Sequence, residues 1–326
     1  MRCYRVLLVT NMWPNPEDPS YGCFVSTQME SLRPLGVEYD VLFINGRQSR
    51  WNYARAVFEL RRRLRSARHD LIHAHFGLSG CVARCQFTTP LVVTFHGDDV
   101  MGQPTRTGRI TLMGRFFQIS SFILARLVSA SIVQSRQMKE KLGLPSARII
   151  PCGIDLELFQ PMDLAEARRR LGLDPQKKYV VFPYNPAVER KRYDLIEAAV
   201  DRAREKVPNL EILHVHGIPQ NRVPVYMNAA DVLVLASIIE GSPNSVKEAM
   251  AVNLPVIAVN VGDTVELVDS TEGNYIVPRT VGAVAAKLVE VVQRGARTCS
   301  REHIEHLSIQ RIAERVAEVY ASVVQA

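Results

Sequence analysis

The sequence predicts an α/β protein made of two Rossmann-like halves, each a parallel sheet wrapped by helices. Three observations carry this. Short apolar runs alternate with helical patterns up to about residue 150. The rhythm breaks at PCGID, residues 151–155, and then restarts. At 326 residues, with 47% apolar and 22% charged content, the chain is long enough for two domains of ordinary size. Strands that alternate with helices pair in parallel, because each crossover helix returns the chain to the end of the sheet where the previous strand began.

In the first half, apolar runs at 4–10, 37–44, 71–74, 91–95, 130–134 and 148–151 read as strands. Helical patterns fall between them at 24–35, 52–66, 78–87, 109–128 and 136–142. An acidic-basic helix at 164–171 opens the second half. Strands are expected at 179–183, 210–215, 232–235, 255–259 and 275–277, with helices at 193–206, 222–230, 244–251, 264–268, 281–294 and 309–324. The domains are therefore set at 1–155 and 156–308, with 309–326 a final helix expected to return to the first domain. Ligands of open parallel sheets bind beyond the strands' carboxyl ends. Two such sheets facing each other would form a cleft lined by TNMWPNPEDPSYGCF, TFHGDDV, PYNPAVERK and SIIEGSPNS.

The formal charge of 40 − 33 = +7 suits an anionic partner without choosing one. The six cysteines are scattered, and no paired C-x2-C sets appear, which argues against structural zinc and for free thiols in a reducing cytosol. The start, MRCYRVLLVTN, reads as a first strand rather than a signal peptide. Residues 116–133, FFQISSFILARLVSASIV, approach the length of a membrane span, but Gln118, Arg126 and several serines interrupt them. A buried helix running into a strand is the expectation there.

SIIEGSPNSVKEAMA, residues 237–251, places Glu240 and Glu248 on either side of a tight turn that opens a helix. Gly241 permits close backbone approach, and Pro243 suits a first turn where its missing N–H costs little. Asn244, Ser245 and Val246 would then offer N–H groups to an anion. A carboxylate cannot bind phosphate but accepts hydrogen bonds from sugar hydroxyls. Two carboxylates beside an anion site describe a receptor for a sugar–diphosphate–ribose ligand. Favourable first-turn acids on an ordinary helix would explain Glu248 but not Glu240 and the turn.

EGSPNSVKEAMAVNLPVIAVNVGD resembles the E-x7-E segment of family 4 glycosyltransferases of the GT-B fold. DLIHAHFGLSG, VVTFHGDDV, IIPCGIDLELFQP and VYMNAADVLVLAS match other stretches of that family in order. The resemblance implies GT-B architecture and retaining transfer from a UDP- or GDP-sugar, with no metal or other cofactor. It implies that Glu248 binds ribose hydroxyls and Glu240 the donor sugar. The backbone of Ser242, Pro243, Asn244 and Ser245 would contact the sugar and pyrophosphate. It also implies that His96 approaches the reacting centre, that Asp99 shapes an acceptor or sugar pocket, and that Gly22 lets N–H groups reach the diphosphate. Lys191, with Arg190 beside it, would stabilise the leaving diphosphate.

The sequence departs from the family pattern in two places. Asn185 stands where an arginine is usual. The chain also runs from HVHGIPQNRVP almost directly into the AADV strand, so the second domain is shortened; Arg222 or the backbone near Gly217 would then meet the base. The stretch 47–68, from Arg47 to Arg68, carries eight arginines and one acid, Glu59. It suits an anionic membrane surface as well as an ordinary packed helix, and it lacks any nucleic-acid motif. The expected protein is cytoplasmic, peripheral on the inner face of the membrane, with a lipid-linked or polysaccharide acceptor. A sugar-nucleotide epimerase or a non-catalytic binding subunit are the alternatives.

Overall fold

A computed structural model describes residues 3–15, 18, 20–268 and 271–325. Pro16, Glu17 and Pro19, in the first of the expected ligand loops, lie outside these. The chain divides into two compact units. The first comprises residues 1–103, 110–153 and 309–326; the second comprises 104–109 and 154–308.

In chain order the first unit contains β1 (Tyr4–Thr10), α1 (Cys23–Leu32), β2 (Val37–Phe43), α2 (Trp51–Ser66), β3 (Leu71–His75) and α3 (Gly77–Ala83). There follow β4 (Leu91–Thr94), α4 (Gly97–Met101), α5 (Leu112–Ala125), β5 (Ala130–Val133), α6 (Arg136–Leu142) and β6 (Arg148–Ile149). All pairs are parallel, in the order β2-β1-β3-β4-β5-β6. Every residue of β3 and β4 is buried, as expected for strands covered on both faces.

The second unit holds α7 (Leu164–Leu171), β7 (Lys178–Phe182), α8 (Tyr193–Ala203), β8 (Leu210–His214), α9 (Val223–Ala229) and β9 (Val232–Leu235). It continues with α10 (Asn244–Ala251), β10 (Val256–Ala258), α11 (Thr264–Val268), β11 (Tyr275–Ile276) and α12 (Val281–Arg294). The sheet order is β11-β10-β9-β7-β8, again all parallel. Read from its other edge, this is the order of the first sheet less one strand. Each sheet therefore reverses direction once, at β1/β3 and at β7/β9. Right-handed crossovers leave on opposite faces at such a point, and the strand-end loops part there.

The last helix, α13 (Ile309–Val324), belongs to the first unit and packs on α1 and β3. Its Tyr320 is fully buried and its hydroxyl lies 2.6 Å from His73 Nδ1. His73 Nε2 meets Thr94 Oγ1 at 2.8 Å. Burial holds this imidazole neutral, down at about 3.

Two expectations are corrected. TFHGDD does not form an exposed loop at the end of β4. The chain turns at once into α4, because Asp99 caps that helix through a 2.8 Å bond from the His96 N–H; His96 and Asp99 are both buried. Residues 116–133 do run from helix into strand, but α5 is not a buried helix. Its inward face is Gly114, Ser121, Leu124 and Ala125, and most of its other large apolar side chains point outward. Among the described residues no helix is long and apolar enough to cross a membrane.

Replacing Tyr320 with Phe removes one buried hydroxyl and leaves His73 Nδ1 without its partner. The expected loss is about 1–3 kcal/mol, read as a lower midpoint for the first unit in chemical denaturation.

Candidate functional site

The second unit brings most of the sequence-derived candidates together at its β7/β9 reversal. The loop after β7 carries Tyr184, Arg190 and Lys191; the loop after β9 carries Glu240 and Ser242. Arg190 and Lys191 close a short 3-10 turn, Glu189–Lys191, and Lys191 is buried. Its ammonium lies 2.5 Å from Glu240 Oε1 and 3.7 Å above the Tyr184 ring. Arg190 reaches Glu240 Oε2 at 3.8 Å. Two cations thus face one carboxylate, leaving a net positive charge. Burial raises the Glu240 carboxyl, but the Lys191 and Arg190 charges outweigh it and hold the group below its ordinary value.

Pro243 caps α10, so this helix begins at Asn244 as the sequence pattern requires. The turn before it is fixed by a close approach: a side chain at Gly262, which has φ +60°, would meet the Gly241 carbonyl oxygen at 2.5 Å. Lys247 is fully buried on α10. Burial pushes the neighbouring Asp263 up to about 6, with the Lys247 charge pulling the other way. Ser242 faces the Asp263 carboxyl and helps to lower it, while Asn244 Oδ1 is buried without a hydrogen-bond partner among the described residues. An orphaned polar atom is costly in a folded interior, so one at this helix start marks a place built to receive a polar group.

Glu248, one turn into α10, accepts a 3.0 Å bond from Gln220 Nε2. Burial raises its carboxyl, and Gln220 and Lys247 only partly offset that. Sequence reasoning missed Gln220, Tyr184 and Lys247. Tyr184 bonds the Ser245 hydroxyl and packs edge-on against Phe182. Its position directly after a buried strand is the one signal that could have singled it out. Asn185 Oδ1 accepts the Ala187 N–H at 2.9 Å, so it shapes the turn rather than supplying charge. Arg222 is exposed, whereas Gln220 is the residue of that segment that meets Glu248.

In the first unit, Gly22 is the N-cap of α1 at φ +73°, where a side chain would meet the Met12 carbonyl carbon at 2.5 Å. No other residue fits both the backbone and the space. His96 ends β4, stacked on Phe76 at 4.1 Å. Phe76 itself holds a left-handed φ of 74°, a strained backbone of the kind found beside binding sites. Both His96 nitrogens are engaged: Nδ1 by Gln134 Nε2 at 2.8 Å and Nε2 by His75 Nδ1 at 3.2 Å. Burial keeps the ring neutral, at about 3. An amide nitrogen only donates, so His96 Nδ1 accepts and Nε2 carries the proton toward His75. His75 is then protonated at Nε2, an atom with no partner among the described residues.

Burial raises Asp99 to about 7 despite N–H bonds from His96 and Gly77, with Asp98 adding to the rise. An ordinary aspartate sits at 3.8. A raised carboxyl binds its proton more tightly when folded, so its contribution is full below pH 3.8 and is lost as pH climbs toward 7. The always-neutral Asp99→Asn should therefore gain stability relative to the parent between these values and level off above them. Thermal midpoints across pH check this; a constant offset would contradict it.

Residues 1–158 match the family model described as Glycosyltransferase Family 4, and residues 189–294 match Glycosyl transferases group 1. TuaC of Bacillus subtilis (strain 168), named for a glycosyltransferase role in teichuronic acid biosynthesis, is 27% identical over 86% of this chain and 87% of its own. A D-inositol 3-phosphate glycosyltransferase of Mycobacterium sp. (strain KMS) is also 27% identical, over 73% of this chain, which spans 62% of that relative's length. Sucrose-phosphate synthase from Thermosynechococcus elongatus superposes with a TM-score of 0.82 at 20% identity, covering 99% of this chain and 100% of the other. Anabaena Alr3699/HepE, solved with UDP and glucose, gives 0.71 at 16% identity over 98% and 100%. These likenesses show the GT-B fold, with sheets of six and five strands. Matched in both of its units, this chain belongs to the family 4, group 1 glycosyltransferases, enzymes that transfer sugars.

Proposed function

We propose that the chain transfers a sugar, with retention, from a UDP- or GDP-sugar to a lipid-linked or polysaccharide acceptor. The observation that carries this is the buried Lys191–Glu240 pair, with the half-buried Arg190 against it, beside the start of α10, and Glu248 one turn further. In this reading Glu248 accepts the ribose hydroxyls, displacing Gln220. Glu240 accepts donor-sugar hydroxyls. The N–H groups of Asn244 and Ser245 meet the pyrophosphate, helped by the dipole of α10.

Catalysis then rests on charge placed where the leaving diphosphate gains it. Arg190, Lys191 and the helix start supply that charge, and no metal enters the proposal. Lys191 shares its charge with Glu240 until a diphosphate arrives, so the cation is held rigidly at no cost in later ordering. Support for a uridine donor comes from the Anabaena relative, solved with UDP-glucose. Support for a glycan acceptor comes from TuaC and its named pathway. Contact with an anionic membrane stands within the same proposal; the sequence expectation set it at residues 47–68, where the observations divide. In support, α2 exposes Trp51 and Phe58; against full use of its charge, Arg62 and Arg63 both pair with Glu59.

Calorimetric titration with UDP and GDP, followed by turnover of the matching sugar donors, tests the reading. Glu248→Ala should weaken binding of the preferred nucleotide about tenfold, the worth of one or two hydrogen bonds to a charged acceptor. Unchanged affinity would remove Glu248 from the ribose. His96→Ala should lower turnover more than donor affinity. Epimerised donor formed with no acceptor would replace transfer by epimerisation.

A chelator is expected to leave turnover unchanged. Activity lost on chelation and restored by a divalent cation would overturn the metal-free part of the proposal.

A further inference from the structure

Helix α5 is inside out. Toward α3 and α4 it turns Gly114 and Ser121 alongside Leu124 and Ala125. The packing there is tight, since a side chain at Gly114 would meet the Gln103 nitrogen at 2.4 Å. Outward it presents Leu112, Phe116, Ile119 and Ile123, which are 86, 55, 62 and 53% exposed. Their spacing of four, three and four residues draws one continuous stripe along the helix. Met113, Phe122 and Leu127 widen it. Single exposed apolar residues are ordinary, but a contiguous apolar face on a helix marks a contact.

The charges around the stripe say what the contact is. Residues 101–139 contain six arginines and lysines and not one aspartate or glutamate. Arg115 lies within the helix and forms no ion pair among the described residues. Arg126 ends it, its guanidinium 3.5 Å over the Phe122 ring. Between α5 and α6 a groove of about 250 Å³ is lined by Ile119 and Phe122, with Lys141 beside them. An apolar stripe edged by cations is the pattern of a helix lying in the headgroup layer of an anionic bilayer. A second copy of the same face is the poorer fit. A two-fold contact would set arginine against arginine, with no acid on α5 itself to pair them.

We propose that α5 docks this protein on an anionic lipid surface, with Leu112, Phe116, Ile119 and Ile123 entering the interface and Arg115 and Arg126 meeting phosphate headgroups. This deepens the membrane part of the function proposed above and rests on it, but moves the contact from α2 to α5. Vesicle binding needs neither donor nor acceptor. Sugar transfer without vesicle binding would therefore sink this inference alone, and vesicle binding without transfer would sink only the enzymatic reading.

The test is co-sedimentation of the full chain with vesicles of phosphatidylcholine alone and of phosphatidylcholine with phosphatidylglycerol. The parent protein should bind the anionic vesicles, and less so at high salt. The triple variant Phe116→Ser, Ile119→Ser, Ile123→Ser should bind about tenfold or more weakly, and Arg115→Gln about fivefold. All four positions are exposed, so the thermal midpoint should hold and report that the variants are folded. Trp51→Ser with Phe58→Ser, on α2, should bind as the parent does. Equal binding by the triple variant, loss of binding in the α2 variant alone, or no binding by the parent would overturn the proposal. So would a parent dimer, seen in ultracentrifugation, that the triple variant turns into a monomer.

Discussion

Both sheets reverse strand order once, and the placement of the candidate residues follows from that constraint. A parallel sheet grows by right-handed crossovers, so strands added to one side of β1 or β7 put their helices on one face, and strands added to the other side put theirs on the opposite face. At the reversal the loops leaving the two central strands diverge and leave a gap that backbone alone does not fill. In the second unit that gap is where Lys191 meets Glu240, each delivered by a different strand end. In the first unit, Gly22 follows β1 and the strained Phe76 follows β3.

Buried charge then makes the second-unit site rigid. An unpaired ammonium or carboxylate in a protein interior costs several kcal/mol, and removing one partner of a buried pair typically costs about 3–5 kcal/mol. Lys191 and Glu240 cannot separate without that penalty unless a ligand supplies replacement charge. A diphosphate would do so for Lys191, and hydroxyl donors would do so for Glu240. The same logic applies to Lys247, which sits fully buried beneath the turn that Asp263 and Gly262 brace. The pairs hold the loops in place before binding, and binding exchanges one set of partners for another.

The first unit uses neutral groups instead. His73, His75 and His96 form a buried row, each held uncharged by desolvation, and run from Tyr320 on the last helix to the end of β4. The chain's last helix thereby supports a residue at the end of the first unit's sheet. Helix α5, in the same unit, shows the opposite economy: it spends small residues on the core and keeps its large ones for a surface.

The sequence by itself determined the alternation of strands and helices, the break near residue 155, and the glutamates around the turn before α10. These are local matters, set by hydrophobic period, by glycine and proline at the turn, and by short spacings along one chain. It also determined the family, because ordered motifs need no coordinates. Which residues meet across strands was settled only by tertiary structure. Gln220 finds Glu248 and Lys191 finds Glu240 because β8, β7 and β9 lie side by side in one register, and no sequence spacing encodes that. Burial was also settled there: TFHGDD is polar, and reads as a loop, until the Asp99 cap draws it inside. Residues 116–133 are apolar, and their helical part reads as buried, until packing shows that the helix turns its glycine and serine against the neighbouring elements. A pattern states how apolar a segment is; only the neighbours decide which way it faces.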